Sequence, residues 1–331
     1  MIVDFVIFGR PDDEHIISIC NKIRQYKLSY VICSTQDLLS QHGKFLFQKS
    51  DSDLRLLVDN EPIDLDHVKA FWARRLSAEI PQAYNLDDST QCWLESEHFH
   101  GILGIVSAIY DRTKHSAKWV NPPLGDYIAE LKIYQLQVAS KYTKFWSIPD
   151  SIVSNSSRMI SRFFSSNNNA RLITKALHKG YYRKDGKYEL FYTNEISDVI
   201  WTPDNLQLLD QTCNFIQRYI DKKYEVRVTI IDQEIYAVAI YSQKSQIANV
   251  DWRHYDFENT PHEIIDIPSL VKQACLSYMK DLNLIYGAID FIVDKDDRYY
   301  FLEINSKGQW LWLEDLTNIP ISLALANYFA K

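Results

Sequence analysis

Three oxygen-bearing side chains stand in two apolar segments near the end of the sequence: Asp290 in GAIDFIV, and Glu303 and Asn305 in YYFLEIN. The polar residues between the segments predict a β-hairpin. If its turn centres between Asp296 and Asp297, Asp290 lies directly opposite Glu303, and Asn305 points to the same face. Two such carboxylates repel each other unless a cation or a proton lies between them. This donor set suits Mg²⁺, usually bound together with substrate phosphates; the alternative is a carboxylate that faces water at a sheet edge.

Charged residues also occupy two other apolar segments. Lys175 lies within RLITKAL, where burying an unpaired ammonium group is costly, so we expect an anionic partner. The alternative is a lysine whose charged end reaches water from an edge strand. YEVRV (224–228) places Glu225 and Arg227 on one face of a strand. The alternative for this pair is a cross-strand salt bridge of small energetic value.

Several common sites and locations are excluded by the sequence. The nine glycines allow neither GxGxxG nor GxxxxGK[ST], and GxSxG, HExxH and HRDxxxxN do not occur. The five cysteines form no CxxC pair, which argues against zinc or disulfides and favours the cytoplasm. The net charge of −7 argues against a nucleic-acid partner. No apolar run is long enough for a membrane span, and the opening MIVDFVIFG is typical of a strand rather than a signal peptide.

The periodicity of the chain changes from its first part to its last. Residues 1–118 alternate strands and helices, whereas the chain from residue 170 onward is rich in strands. Strands are predicted at 3–8, 29–33, 44–48, 54–58 and 67–75, and helices at 12–26, 88–112, 126–144, 269–282 and 320–330. This order predicts an α/β region followed by an α+β region.

The strand pattern of an aspartate, followed on the next strand by hydrophobic-Glu-hydrophobic-Asn, resembles the ATP-grasp superfamily. More closely, FLEINSKGQWLWLE (301–314), with YEVRV, DWR (251–253) and YGAIDF (286–291), resembles the ATP-grasp macrocyclases of graspetide (microviridin-type) biosynthesis. Related ligases carry Asn-Pro after the glutamate, whereas Asn305 is followed here by Ser306-Lys307. The departure leaves the ligand residues intact.

The resemblance implies an ATP-grasp fold with an N-terminal Rossmann-like, pre-ATP-grasp domain. The implied division is residues 1–118 for this domain, 119–205 for a central region with the small ATP-grasp subdomain and a peptide-binding element, and 206–331 for the C-terminal subdomain with the metal site. ATP and Mg²⁺ are the implied cofactors.

The resemblance also implies a role for each matching residue. Asp290, Glu303 and Asn305 become metal ligands. Catalytic roles fall to Lys175 at the ATP phosphates, Arg227 at the γ-phosphate and Arg253 at the substrate carboxylate. The nucleotide contacts are Lys132, Lys175, the hinge residues Gln217, Arg218 and Tyr219, and Glu225, which either orients Arg227 or contacts the ribose. A solvated helix face for Lys132 and a surface charge for Arg253 remain alternatives.

The implied partner is a ribosomally made precursor peptide with a leader and a core, and the implied assembly is a homodimer. Arg74, in FWARR, matches a family feature, and only one of Arg74 and Arg75 can face the cleft if the strand continues. YELFYTNEISD (188–198) falls where the family grips the leader, so Glu195 and Asp198 are expected to pair with a leader arginine. A solvated charge cluster is the alternative.

The implied activity is ATP-dependent macrocyclisation. An Asp or Glu side chain of the peptide is phosphorylated and then coupled to Ser or Thr as an ω-ester, or to Lys as an ω-amide. Two alternatives stay open: a RimK-type ligase that adds an amino acid to a peptide or protein carboxylate, and a catalytically silent leader-binding protein.

Overall fold

The computed structural model describes most of the chain. The described residues are 1–34, 45–49, 54–58, 60–76, 86–167, 170–178, 180–184, 187–196, 203–254 and 256–331. No helix within these ranges is long and apolar enough to cross a membrane.

The N-terminal region contains a parallel four-stranded sheet with strand order β2-β1-β6-β7. Its strands are β1 (Phe5–Gly9), β2 (Tyr30–Ser34), β6 (Ala70–Ala73) and β7 (Lys118–Val120), and its helices are α1 (Glu14–Gln25) and α2 (Asp88–Thr113). The strands β3 (Phe45–Lys49), β4 (Leu54–Val58) and β5 (Glu61–Pro62) form a separate antiparallel sheet. Because β6 ends at Ala73, Arg74 lies just beyond the strand. The α/β character predicted for this region is confirmed.

A smaller antiparallel sheet with strand order β12-β9-β13-β8 follows. Its strands are β8 (Ser151–Ser154), β9 (Leu172–Lys175), β12 (Asn194–Glu195) and β13 (Asn214–Arg218). The helices α5 (Ser157–Ser166) and α6 (Pro203–Leu209) accompany it, and β10 (Tyr181–Lys184) pairs with β11 (Lys187–Leu190) as a hairpin. We call the four-stranded β12-β9-β13-β8 sheet the small sheet.

The C-terminal region is an antiparallel five-stranded sheet with strand order β16-β15-β14-β17-β18, which we call the large sheet. Its strands are β14 (Tyr224–Ile231), β15 (Glu234–Ile240), β16 (His262–Ile264), β17 (Tyr286–Val293) and β18 (Tyr299–Asn305). The helices that pack around the large sheet are α3 (Pro123–Ala129), α4 (Lys132–Ala139), α7 (Ser269–Asp281), α8 (Leu311–Thr317) and α9 (Ile321–Ala330). The single helix predicted over 126–144 is therefore two shorter helices followed by a 3₁₀ turn, and α8 is absent from the sequence-based prediction.

Both faces of the large sheet are buried. One face packs with α4 and α7 in a core that includes Val228, Phe291 and Tyr278. The other face shares a core with the N-terminal region, in which Ile7 and Ile231 belong to the same cluster. Burial on both sides explains why β14 and β17 are near-continuous apolar runs, and why the charged residues inside them stand out.

Candidate active site

Residues of the small and large sheets line one open cleft. Lys175 and Gln217 come from the small sheet, and Asp290 and Glu303 come from the large sheet. The cleft therefore brings together side chains that are more than 100 residues apart in the sequence. It also contains Arg218, Tyr219, Lys222, Glu225, Asp251, Trp252 and Arg253.

The β17–β18 hairpin places the predicted metal ligands as the sequence implies. Asp290 pairs directly with Glu303, and the Asn305 Nδ2 donates a hydrogen bond to Asp290 Oδ2 at 3.0 Å. The route to this register differs from the prediction, because the strands shift register between Asp290 and Phe291. Without that β-bulge, the pairing that begins at Val293 and Tyr299 would place Asp290 opposite Leu302, whose side chain points away from the Glu303 face.

A row of charged residues crosses three strands of the large sheet. Arg227 pairs with Asp290 in the β14–β17 ladder, and Asp290 pairs with Glu303 in the next. The Arg227 Nη1 donates to both Asp290 oxygens, at 2.9 and 2.7 Å. The Lys132 Nζ donates to Glu303 Oε2 at 2.5 Å, so each carboxylate has its own cation. Lys132 therefore does not lie on a solvated helix face, and this alternative interpretation of the residue is wrong.

The two carboxylates differ in proton affinity. Burial raises the pKa of Asp290 despite the nearby Arg227 guanidinium. Burial also opposes ionisation of Glu303, but the charges of Lys132, Arg253 and Lys175 hold its pKa far below the usual range. Glu303 is thus firmly ionised, whereas the positive charge near Asp290 is too small to offset the effect of burial on its carboxylate. Two carboxylates and an amide form a donor set that fits a hard divalent cation. Among the described residues, this site included, no group of three or more His, Cys, Asp or Glu side chains could hold a metal, so the candidate set depends on its asparagine as the third donor.

Lys175 ends β9 and points into the cleft. Its Nζ donates to Gln217 Oε1 at 2.9 Å, and Gln217 in turn donates to Ser151 Oγ at 2.9 Å. Burial lowers the pKa of Lys175 to about 8, although Glu303 partly offsets the effect. A partly buried ammonium held by a neutral amide is electrostatically under-compensated, which supports the expectation of an anionic ligand.

Arg253 lies on the 251–254 loop, in contact with the small-sheet side of the cleft. Its guanidinium forms a two-point contact with Asp251, at 2.8 and 2.6 Å, and donates to Thr193 Oγ1 at 3.1 Å. Asp251 also accepts from the Thr193 backbone N–H at 2.9 Å. Neither Asp251 nor Thr193 was predicted from the sequence as a partner of Arg253. The spacing of Asp251 and Arg253 in DWR was the available signal for the first of them.

Glu225 does not contact Arg227, so the suggestion that it orients this arginine is wrong. Its carboxylate is paired with Lys222 and accepts from Ser242 Oγ at 2.5 Å. Lys222 and Glu225 are both buried and both line the cleft. The sequence analysis also missed Lys222, which lies three residues before Glu225.

The hinge residues line the cleft but use their amides internally. The Arg218 N–H donates to Asp150 O at 2.8 Å, and the Tyr219 N–H donates to Arg171 O at 2.9 Å. The guanidinium of Arg171 lies 3.8 Å from the centre of the Tyr219 ring. In this conformation neither amide is available to a base, so adenine recognition through these two N–H groups is not supported.

The predicted peptide contacts have different outcomes. Arg74 is 1% exposed, and its Nη1 donates to Lys307 O at 2.6 Å, so it fills a buried junction instead of a peptide-binding surface. Glu195 is exposed and pairs with Arg171 of its own chain through two contacts of 2.7 Å. Asp198 lies outside the described residues.

The two sheets, with Lys175 on one side of the cleft and two carboxylates on the other, form an ATP-grasp fold. Residues 195–329 match the family model described as a RimK-like ATP-grasp domain. No curated protein sequence matches the chain.

Solved structures with this fold cover almost the whole chain. One is a Chryseobacterium gregarium RiPP-associated ATP-grasp ligase in complex with ADP, a leader and a core peptide: 23% identity, 98% of this chain, 96% of that chain and a TM-score of 0.81. Another is the macrocyclase MdnC of Microcystis aeruginosa, bound with the precursor peptide MdnA, with 25% identity, coverage of 98% and 99%, and a TM-score of 0.81. The fold predicted from the resemblance is confirmed.

Proposed function

We propose that the protein is an ATP-dependent peptide macrocyclase that joins side chains of a ribosomally made precursor. The observation that carries this proposal is the cleft in which Lys175 and Arg253 face Asp290 and Glu303. Lys132, Arg227 and Asn305 contact these two carboxylates from around the cleft. The whole-length similarity to the RiPP-associated ligase and to MdnC supports a peptide as the substrate.

The residues divide the work of phosphoryl transfer between the two sheets. Lys175 and Lys132 hold the phosphate chain. The negative charge of the phosphates balances the ammonium charge of Lys175, which the neutral Gln217 side chain does not. Asp290, Glu303 and Asn305 hold Mg²⁺, which neutralises the phosphates when bound. Arg227 lies next to these ligands, so its planar guanidinium suits the equatorial oxygens of the transferred group.

The chemistry then runs in two displacements. A peptide Asp or Glu carboxylate oxygen attacks the γ-phosphorus, the bond to the β–γ bridging oxygen breaks, and ADP leaves an acyl phosphate behind. A Ser or Thr hydroxyl, or a Lys amine, attacks the acyl carbon, inorganic phosphate leaves, and the nucleophile gives its proton to solvent. Arg253, at the mouth of the cleft, orients the substrate carboxylate. The protein contributes mainly positioning and electrostatic stabilisation.

The precursor binds beside the β10–β11 hairpin and the edge strand β12 of the small sheet. Glu195 is an exposed acid of this element, and Arg171 holds it in place through a solvent-exposed ion pair. Such pairs contribute little free energy, so a leader arginine can displace Arg171 at low cost.

The protein acts as a homodimer in the cytoplasm. Four large apolar side chains follow helical spacing along α3 and into α4 and are all exposed, namely Leu124, Tyr127, Ile128 and Leu131. A contiguous apolar stripe on a globular surface favours a partner, and a second copy is the partner that the resemblance implies. Sedimentation analysis that finds only monomers would contradict this part of the proposal. The free cysteines agree with a reducing compartment.

A second candidate function is a RimK-type ligase that adds a free amino acid to a carboxylate. The match of residues 195–329 to a RimK-like domain favours it, since both reactions use the same acyl phosphate. The two differ only in the nucleophile that attacks.

Mass spectrometry separates the two reactions. The protein is incubated with ATP, Mg²⁺, a mixture of free amino acids and a short peptide encoded beside its gene, and the intact peptide mass is measured with ADP release. Macrocyclisation predicts the loss of one water for each linkage, and mild base then distinguishes esters from amides. A gain in mass would establish the amino-acid ligase instead. ATP binding with unchanged mass for every neighbouring peptide would contradict both.

A further inference from the structure

A glycine lies directly against the arginine of the active site. The 306–310 loop follows the ligand Asn305, and a methyl group at Gly308 would lie only 2.7 Å from the Arg227 Nη2 and 2.8 Å from the Ala288 Cβ. The backbone φ of Gly308 lies outside the left-handed region, so backbone conformation alone does not require glycine. The requirement is the close approach of the loop to Arg227.

Arg74 of the N-terminal region holds this loop from the other side. Its Nη1 donates to the carbonyls of Lys307, at 2.6 Å, and Gly308, at 3.4 Å. Its guanidinium lies 5.2 Å from the centre of the Trp310 ring. Arg74 is 1% exposed, so these contacts form in an environment where electrostatic interactions are strong.

Asp13 and His15, at the start of α1, complete the contact between the N-terminal region and the 306–310 loop. Asp13 Oδ2 lies 3.5 Å from the Arg74 Nε, and Asp13 Oδ1 lies 3.1 Å from the His15 Nδ1. The Trp310 backbone N–H donates to His15 Nε2 at 3.1 Å. Because Nε2 accepts, Nδ1 carries the proton and donates to Asp13. The N-terminal region therefore contacts the loop at residues 307, 308 and 310.

We propose that Arg74 is a positioning residue for the reaction: it holds the 306–310 loop so that Gly308 supports the Arg227 guanidinium against Asp290. This inference rests on the proposed function, because it assigns Arg227 to the transferred phosphate. It extends the active site into the N-terminal region, more than 150 residues before Arg227 in the sequence. Errors of about 1 Å in such a group can cost about a hundredfold in rate.

The test compares Arg74→Met, Arg74→Lys and Gly308→Ala with Gly104→Ala as the matched control. Gly104 lies in α2, where an added methyl group meets nothing within 4 Å. We expect Arg74→Met and Gly308→Ala to lower the kcat for ADP formation with the precursor by about tenfold to a hundredfold. The KM for ATP and the affinity for a non-hydrolysable ATP analogue should stay within about twofold of the wild-type values. Arg74→Lys keeps one donor and should recover part of the rate, and Gly104→Ala should match the wild type.

Two outcomes would overturn the proposal. One is a Gly308→Ala variant with wild-type kcat. The other is a loss of rate that is matched by equal losses of analogue affinity and melting temperature, which indicates general destabilisation. If the wild type itself releases no ADP with any peptide, the proposed function fails instead. A crystal structure of Gly308→Ala then decides the positioning claim: a displaced Arg227 supports it, and the unchanged 2.7 Å contact with Asp290 contradicts it.

Discussion

The two sheets that form the cleft are stabilised in different ways. The large sheet is buried on both faces, and its charged pairs are nearly inaccessible: the side chains of Arg227 and Asp290 are 6% and 10% exposed. Among the described residues, the hydrophobic cluster between the small sheet and its helices contains four buried side chains, Ile160, Leu172, Leu209 and Ile216. Its best-formed ion pair, Arg171–Glu195, is 50% and 37% exposed. One side of the cleft is thus a rigid support, and the other is a lightly packed layer.

Under the proposed function, this difference separates chemistry from recognition. Groups that must keep their distances within a fraction of an ångström, such as Arg227 and Asp290, are held in the large sheet, where packing resists displacement. Groups that must accommodate a nucleotide and a peptide, such as Lys175 and Glu195, are on the sheet with the smaller core, where local opening costs less free energy. Substitutions in the two sheets should therefore have different effects.

The largest effect is expected at the ligand row of the large sheet. Asp290→Asn removes a carboxylate from the donor set and leaves the Arg227 guanidinium without its charge partner. We expect ADP formation to fall by about a thousandfold while the far-ultraviolet circular dichroism is unchanged. The matched control is Asp297→Asn in the turn of the same hairpin, where φ is 60° and asparagine is well tolerated. Turnover of Asp290→Asn near the control level would remove the metal site from the proposal.

Two ion pairs, one in each sheet, test whether a buried pair in the large sheet contributes more to the free energy of unfolding than an exposed pair on the small sheet. Lys222→Met leaves the Glu225 carboxylate buried in the large sheet without its cation, which should cost about 3 kcal/mol of unfolding free energy near neutral pH. Arg171→Met breaks the exposed pair on the small sheet and should cost less than about 1 kcal/mol. Denaturant unfolding of both variants measures the difference. Because burial already raises the pKa of Glu225, the Lys222→Met penalty should shrink as the pH falls and the acid takes up a proton. Equal costs would show that the two sheets do not differ.

The fold was predictable where local pattern and tertiary packing agree. The parallel N-terminal sheet and the β17–β18 hairpin follow from apolar periodicity. The Asp290–Glu303 register does not follow from the length of the hairpin, because it requires a β-bulge between Asp290 and Phe291. The bulge that produces this register was not predictable, since it depends on how β18 packs. The helix predicted over 126–144 is interrupted at Glu130 and Leu131, with no proline or glycine to mark the break.

The site was predictable where a charge interrupts an apolar strand. Lys175, Arg227 and Asp290 were found for this reason, because an unexplained buried charge is itself a signal. Residues on loops or after strand ends gave no such signal, and Thr193 and Asp251 were therefore missed. Arg74 was singled out but given the wrong partner, because the loop carbonyls that it contacts lie more than 230 residues away in the sequence. Only tertiary structure shows that it faces the 306–310 loop.

The smallest predicted effect concerns the pH dependence of nucleotide binding through Lys175. Burial lowers the pKa of this lysine to about 8 in the nucleotide-free protein, against an ordinary value of 10.5. Phosphate binding requires the ammonium form, so the affinity for ADP should be constant near pH 7 and fall by up to about tenfold per pH unit above pH 8. Calorimetric titration of ADP between pH 7 and pH 9.5 measures this decline, and Lys175→Met should bind more weakly with little dependence on pH.

The same shift has the opposite sign for folding, which gives an independent check. Between about pH 8 and 10.5 the unfolded chain binds a proton at Lys175 that the folded protein does not, so this residue makes the free energy of unfolding rise with pH across that window. Below pH 8 both states are protonated and the cost of burying the charge is fully present. The difference between wild type and Lys175→Met isolates this contribution from the other groups that titrate there. A difference that stays constant across the window would mean that Lys175 reaches solvent, and that the small sheet is more open than its contact with Gln217 indicates.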